Sequence, residues 1–76
     1  MALVDTGIRQ KTDHGEIATV TDMRGHNVLV DVSAEALSNF GWDRVLLEAI
    51  KKYDAGDIEA GNPPKVTVVN GDFEID

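Results

Sequence analysis

The sequence predicts an α+β domain: a small antiparallel sheet of two hairpins covered by one main amphipathic helix, in the order ββ-α-α-ββ. Three observations predict it. β-Branched residues cluster in short runs on either side of one long stretch that carries a helical period, and glycine or proline punctuates most of the junctions. With 76 residues the chain is long enough for one small domain. At this size roughly 60% of the unfolded surface can be buried, which allows one thin core.

Residues 1–14 mix Leu3, Val4 and Ile8 with Asp5, Gly7, Arg9, Lys11 and Asp13, and neither period persists. They are expected to form an N-terminal arm that contributes at most a short edge strand through Leu3-Val4 and frays as termini do. Residues 15–76 form the single domain. Its first two strands are Glu16 to Thr21 and His26 to Val32, joined through Asp22-Met23-Arg24-Gly25, where Gly25 can supply a positive φ. Val28, Val30 and Val32 share one face, Asn27 and Asp31 the other, and Leu29 is the apolar exception on the polar side.

Ser33 is placed to cap a helix, with Val32 and Leu37 as its hydrophobic staple and Glu35 near the positive helix end. A stronger helical stripe follows in Trp42, Val45, Leu46, Ala49, Ile50 and Tyr53. Leu37 and Phe40 point about half a turn away from that stripe, so a break is expected at Asn39-Phe40-Gly41. Gly56 is the expected helix stop and Gly61-Asn62-Pro63-Pro64 a loop. Val66-Thr67-Val68-Val69 then reads as a strand, Asn70-Gly71 as a hairpin turn, and Asp72-Phe73-Glu74-Ile75 as its return strand.

Seven Lys and Arg against fourteen Asp and Glu give a formal charge of -7. A surface this acidic opposes direct binding to nucleic acid, which needs clustered cations, and to anionic membranes. No apolar run reaches the ~18 residues of a membrane span, and Met1-Ala2-Leu3-Val4-Asp5 lacks the basic and apolar regions of a signal peptide. The expected setting is cytoplasmic. Without cysteine there is neither a disulfide framework nor a thiolate site.

His14 and His26, with Asp13 and Asp22 nearby, match no short metal-ligand spacing, and an ordinary strand-end imidazole is the expected role of His26. Asp54, Asp57 and Glu59 gather around Gly56, but Ile58 and Pro63-Pro64 occupy positions that a calcium loop reserves for ligands. They read as a solvated helix end. Ser33 and Ser38 could serve as nucleophiles with a histidine base, yet the sequence contains no nucleophile elbow, P-loop or dinucleotide fingerprint. No catalytic, cofactor or metal residue is therefore assigned.

The segment Val32-Ser33-Ala34-Glu35-Ala36-Leu37, with Phe40 following, resembles the strand-to-helix segment of the domain-of-unknown-function 1488 group, a family of small uncharacterised bacterial proteins. Lys52-Tyr53-Asp54-Ala55-Gly56-Asp57-Ile58-Glu59, then Val66-Thr67-Val68-Val69 and Asp72-Phe73, is similar to the family as well. The resemblance implies a compact α+β bacterial protein and supplies no catalytic residues.

The sequence thus points to a small acidic, non-enzymatic accessory or protein-interaction module, without cofactor, acting on an unknown protein partner as a monomer or weak homodimer. Phe40 and Trp42 are the candidate apolar anchors of its surface, and Asp54 and Asp57 the candidate acidic contacts. The alternatives are an acidic inhibitor that mimics nucleic acid, or a small-ligand or metal-binding protein.

Overall fold

The computed structural model describes residues 3–73. Its elements are β1 (Val4–Lys11), β2 (Gly15–Thr21), β3 (Asn27–Ser33), α1 (Ala34–Ala55), β4 (Lys65–Val68) and a final 3-10 turn, Asn70–Phe73. The order is βββ-α-β, not ββ-α-α-ββ. β1, β2 and β3 form an antiparallel meander, and β4 joins the far edge of β3 in parallel, giving the mixed sheet β1-β2-β3-β4. A parallel pair cannot be joined by a tight turn, so α1 crosses one face of the sheet to connect β3 with β4.

The alternating valines dictate which face that is. Val28, Val30 and Val32 on β3 share a face with Ala18 and Val20 on β2 and Val66 and Val68 on β4, in cross-strand rows such as Ala18–Val30–Val66. Val45, Ala49 and Ala36 of α1 close over them. Every fully buried apolar side chain among the described residues is a valine or an alanine. Such short side chains let the helix sit close to the sheet, and the larger Leu3, Leu37, Trp42, Leu46, Tyr53 and Phe73 pack around the margin. Leu46 and Ile50 lie beside the innermost stripe of the helix rather than at its centre, which Val45 and Ala49 occupy.

The helix signals act locally as their chemistry requires. Ser33 accepts a hydrogen bond from the Ala36 N–H at 3.2 Å. Gly41 leaves helical geometry at φ 78° and ψ 166°, so α1 is kinked where the two apolar stripes diverge. At the other end Gly56 adopts φ 80°, with Gly56 N–H donating to Tyr53 O and Asp57 N–H to Lys52 O, a Schellman cap.

Two expectations are overturned. The stretch read as an arm is an eight-residue edge strand, paired to β2 from Val4↔Thr21 to Lys11↔Glu16 across a bulge at Thr6 and Gly7. Asn70-Gly71 opens a 3-10 turn instead of a hairpin. The outer edge of β4 is already occupied: Lys65 exchanges backbone hydrogen bonds with Glu59, Lys52 Nζ donates to Thr67 O at 2.8 Å, and the Asp72 carboxylate accepts from Val69 N–H at 2.8 Å. The Glu74-Ile75 part of the expected return strand lies outside the described residues.

The tightest junction is Gly15, which pairs with Ser33 beside the start of the helix. A Cβ at this position would stand 2.0 Å from Val32 O and 2.8 Å from Ala34 N, while His14 O accepts from Ala34 N–H nearby. Backbone on both sides leaves nothing flexible to give way. Gly15→Ala is therefore expected to cost about 3 kcal/mol or more. Gly25→Ala, at φ 82° in open space, should cost only about 1–2 kcal/mol from backbone strain. Urea midpoints at constant m-value compare the two, and equal losses would contradict the close approach at Gly15.

Candidate interaction surface

A helix on one side leaves the other side of the sheet uncovered among the described residues. By strand alternation that face carries Val4, Ile8 and Gln10 of β1, Ile17, Thr19 and Thr21 of β2, Leu29 and Asp31 of β3, and Lys65 and Thr67 of β4. Ile8, Thr19 and Leu29 form one cross-strand row, and Ile17 is the diagonal neighbour of both Ile8 and Leu29. These three apolar side chains make a contiguous patch, with Ile8 57% exposed and Ile17 and Leu29 half-buried.

Asp31 sits beside Ile17 in the next row and is only 7% exposed. A buried carboxylate requires partners, and two side chains supply them: His14 Nε2 lies 2.9 Å from Oδ1 and Lys65 Nζ 3.7 Å from Oδ2. Ionised Asp31 only accepts, so the imidazole donates. Lys65 also lies 3.7 Å from Glu59, whose carboxylate accepts from Thr67 Oγ1 at 3.3 Å. This network crosses the uncovered face from the β1–β2 turn to β4.

The edge of β1 carries its own closure. Asp5 Oδ1 accepts from Gly7 N–H, Thr6 Oγ1 accepts from Ile8 N–H, and Arg9 Nη1 donates to Ile8 O. Arg9 also grips Asp5 through two 2.9 Å contacts and lies 4.1 Å above the centre of the Trp42 ring. The guanidinium therefore ties the edge strand to the helix. First through its hydrogen bonds from Arg9, then through the Gly7 N–H, the Asp5 carboxyl is held down to about 2.

Trp42 thus has a ring face under Arg9, and Phe40 stacks on Phe73 with ring centroids 4.1 Å apart and Arg44 5.8 Å from its ring centre. Asp54 is exposed on the last helical turn, and exposed Asp57 lies 4.0 Å from Lys52. At 1.5 Å per residue Phe40 and Asp54 are separated by roughly 20 Å along the helix. The structure does not bring the two aromatic and two acidic residues into one patch. The patch on the uncovered face was signalled in the sequence only by Leu29, an apolar residue out of phase with the valines.

His14 and His26 sit in turns at opposite ends of β2, too far apart to share an ion. Among the described residues no group of three or more His, Cys, Asp or Glu is arranged to hold a metal. Near His26 a cleft of about 550 Å³ is lined by Asp22, Tyr53, Pro63 and Pro64. Asp22 and Tyr53 within it are engaged with each other. Asp22 Oδ1 accepts from Arg24 and His26 N–H at 2.8 and 2.9 Å, and Oδ2 accepts from Tyr53 OH at 3.2 Å. The His26 N–H, foremost, pulls the Asp22 carboxyl below its usual range, while burial and then Asp22 itself push the Tyr53 hydroxyl up. The arrangement fastens the helix end to the β2–β3 turn. A second cleft, about 410 Å³, lies between the β1–β2 turn and Leu37-Ser38.

The fold and this face define a two-layer α+β protein with a single uncovered sheet surface. Comparison with family models, curated proteins and solved structures finds no match for the chain.

The Asp5–Arg9 pair makes a pH prediction. A depressed carboxyl contributes stability above its unfolded value near 4 and loses that contribution as pH falls through about 2. Carboxyl NMR titration should place Asp5 near 2 in the wild type and back near 4 in Arg9→Gln, with the Trp42 indole signal following the same transition. An unchanged Asp5 titration in Arg9→Gln would remove the guanidinium as the cause.

Proposed function

We propose that this chain is a small non-enzymatic interaction module that docks through the uncovered sheet face around Ile8, Ile17 and Leu29. The observation that carries this reading is an apolar patch on the broad surface that α1 leaves bare among the described residues, beside a buried carboxylate hydrogen-bonded to His14 and paired with Lys65. A flat apolar surface with its charge compensated can be desolvated without stranding an ion. The two aromatics singled out by composition, Phe40 and Trp42, instead spend ring faces on Phe73 and Arg9.

The alternatives have weaker support. A mimic of nucleic acid needs carboxylates displayed in a dense row, whereas Asp5, Asp31, Glu48, Glu59 and Asp72 each lie against a cation of the same chain. For an enzyme, the cleft beside His26 has Asp22 and Tyr53 bound to each other and Asp22 also to turn backbone. The resemblance of Val32–Leu37 and Lys52–Glu59 to a family of small bacterial proteins is in keeping with a compact accessory module, and a cysteine-free chain is compatible with the reducing cytoplasm.

Photocrosslinking in cells tests the docking face. A photoreactive residue at position 8 should give an adduct of discrete mass that Ile17→Thr in the same chain removes. The same residue at position 47, on the outer surface of the helix where Leu47 is 60% exposed, should give none. Adducts from position 47 alone would move the docking surface to the helix.

A further inference from the structure

The Asn70-Gly71 pair forms no hairpin and lies away from the docking face, yet it carries a chemistry of its own. The amide carbon of an asparagine side chain is open to attack by the backbone nitrogen of the next residue, and a Cβ on that residue crowds the approach. The chain has four asparagines. Asn27 and Asn39 precede Val28 and Phe40, whose side chains crowd the nitrogen, and Asn62 precedes Pro63, which has no N–H to give up. Asn70 alone precedes glycine, and Gly71 is exposed to water and hydroxide.

The fold holds this pair away from reaction. Asn70 is half-buried at the start of the 3-10 turn, and its Oδ1 accepts from Asn39 Nδ2 at 2.9 Å. At 3-10 dihedrals the next nitrogen is directed along the turn, not at the side-chain amide, so ring closure waits for Asn70 to unwind. Phe40 stacked on Phe73 and Lys52 paired with Asp72 at 2.9 Å oppose that unwinding from the far side of the turn. Asn39 is the residue that grips the reacting amide itself.

We propose that Asn70 is a site of spontaneous deamidation in the folded protein, and that Asn39 sets its rate by restraining the side-chain amide. During a local opening of the turn, hydroxide removes the Gly71 N–H proton and the nitrogen bonds to Asn70 Cγ. The Cγ–Nδ2 bond breaks, and the leaving group takes a proton from water to depart as ammonia, which regenerates hydroxide. Water then adds to either carbonyl of the succinimide and breaks one of its ring C–N bonds, leaving aspartate or isoaspartate with no change of oxidation state. Both products add a negative charge close to Asp72, and isoaspartate also lengthens the backbone by a methylene. Asp72 accepts from Val69 N–H at 2.8 Å and so closes the outer edge of β4; the longer backbone draws that cap out of register and unstacks Phe73 from Phe40.

Incubating the purified full chain in warm, mildly alkaline buffer made with heavy-oxygen water tests this, with peptide mass spectrometry reading every asparagine. Position 70 should convert to aspartate and isoaspartate carrying the heavy oxygen, while Asn27, Asn39 and Asn62 stay intact. Asn39→Ala changes an exposed residue and should leave circular dichroism melts near wild type, yet raise the rate several-fold. The chain unfolded in urea should convert faster still, and Gly71→Ala should slow conversion at least about tenfold by crowding the attacking nitrogen. The purified isoaspartate form should melt below the unconverted chain. Intact Asn70 in the folded chain, under conditions that convert the unfolded one, would overturn the site. Equal rates in wild type and Asn39→Ala would overturn the restraint, and undiminished conversion in Gly71→Ala would overturn attack by the backbone nitrogen. An isoaspartate form that melts with the unconverted chain would overturn the loss of the β4 cap.

Discussion

Parallel pairing of β3 with β4 is the constraint on which the architecture depends. Successive antiparallel strands can be joined by turns, and β1 to β3 are. A parallel neighbour demands that the chain return across the sheet, and α1 is that return. One crossover covers one face. The bare surface opposite is therefore a consequence of topology, present whatever the residues on it, and the sequence decides only how that surface is dressed. Threonines and the paired carboxylate of Asp31 dress much of it, and Ile8, Ile17 and Leu29 give it apolar area.

The covered side shows how a small chain holds a helix to a sheet. Among the described residues valine and alanine alone are fully buried at the centre, with longer side chains confined to the margin, so little rotamer entropy is lost there. Polar ties then fasten the periphery. Arg9 spans Asp5 and Trp42 at one edge, Lys52 reaches Thr67 O and Asp72 at the other, and Tyr53 holds the turn at Asp22. Each tie joins segments distant in sequence, which the short apolar core could not reach by itself.

Much of the local structure was legible because its causes are local. The Ser33 cap, the kink at Gly41, the Gly56 stop and the shared face of Val28, Val30 and Val32 each follow from a residue and its immediate neighbours. β1 was not legible because its alternation is inverted: Asp5, Arg9 and Lys11 face the helix side, while Val4 and Ile8 face outward. The Asn70-Gly71 signal failed for a non-local reason, since Lys52, Glu59 and Asp72 already filled the edge along which a returning strand would have run. Nor does a four-residue strand such as β4 announce its direction. Of the candidate surface, only Leu29 was visible as an apolar residue out of phase, and its significance required knowing that a single helix covers the sheet. Phe40 and Trp42 drew attention by size, but partners as distant as Phe73 and Arg9 cannot be read from spacing.

The closed edges set a limit on assembly. A sheet grows indefinitely when an edge is free, and it stacks when both faces are free. Among the described residues, the outer edge of β4 and the middle of the β1 edge are engaged by the chain's own side chains, and one face lies under α1. The exposed Ile8 therefore stands where the neighbouring backbone groups, Gly7 and Ile8 N–H and Ile8 O, are already spoken for, which blunts the backbone pairing that a bare edge strand invites.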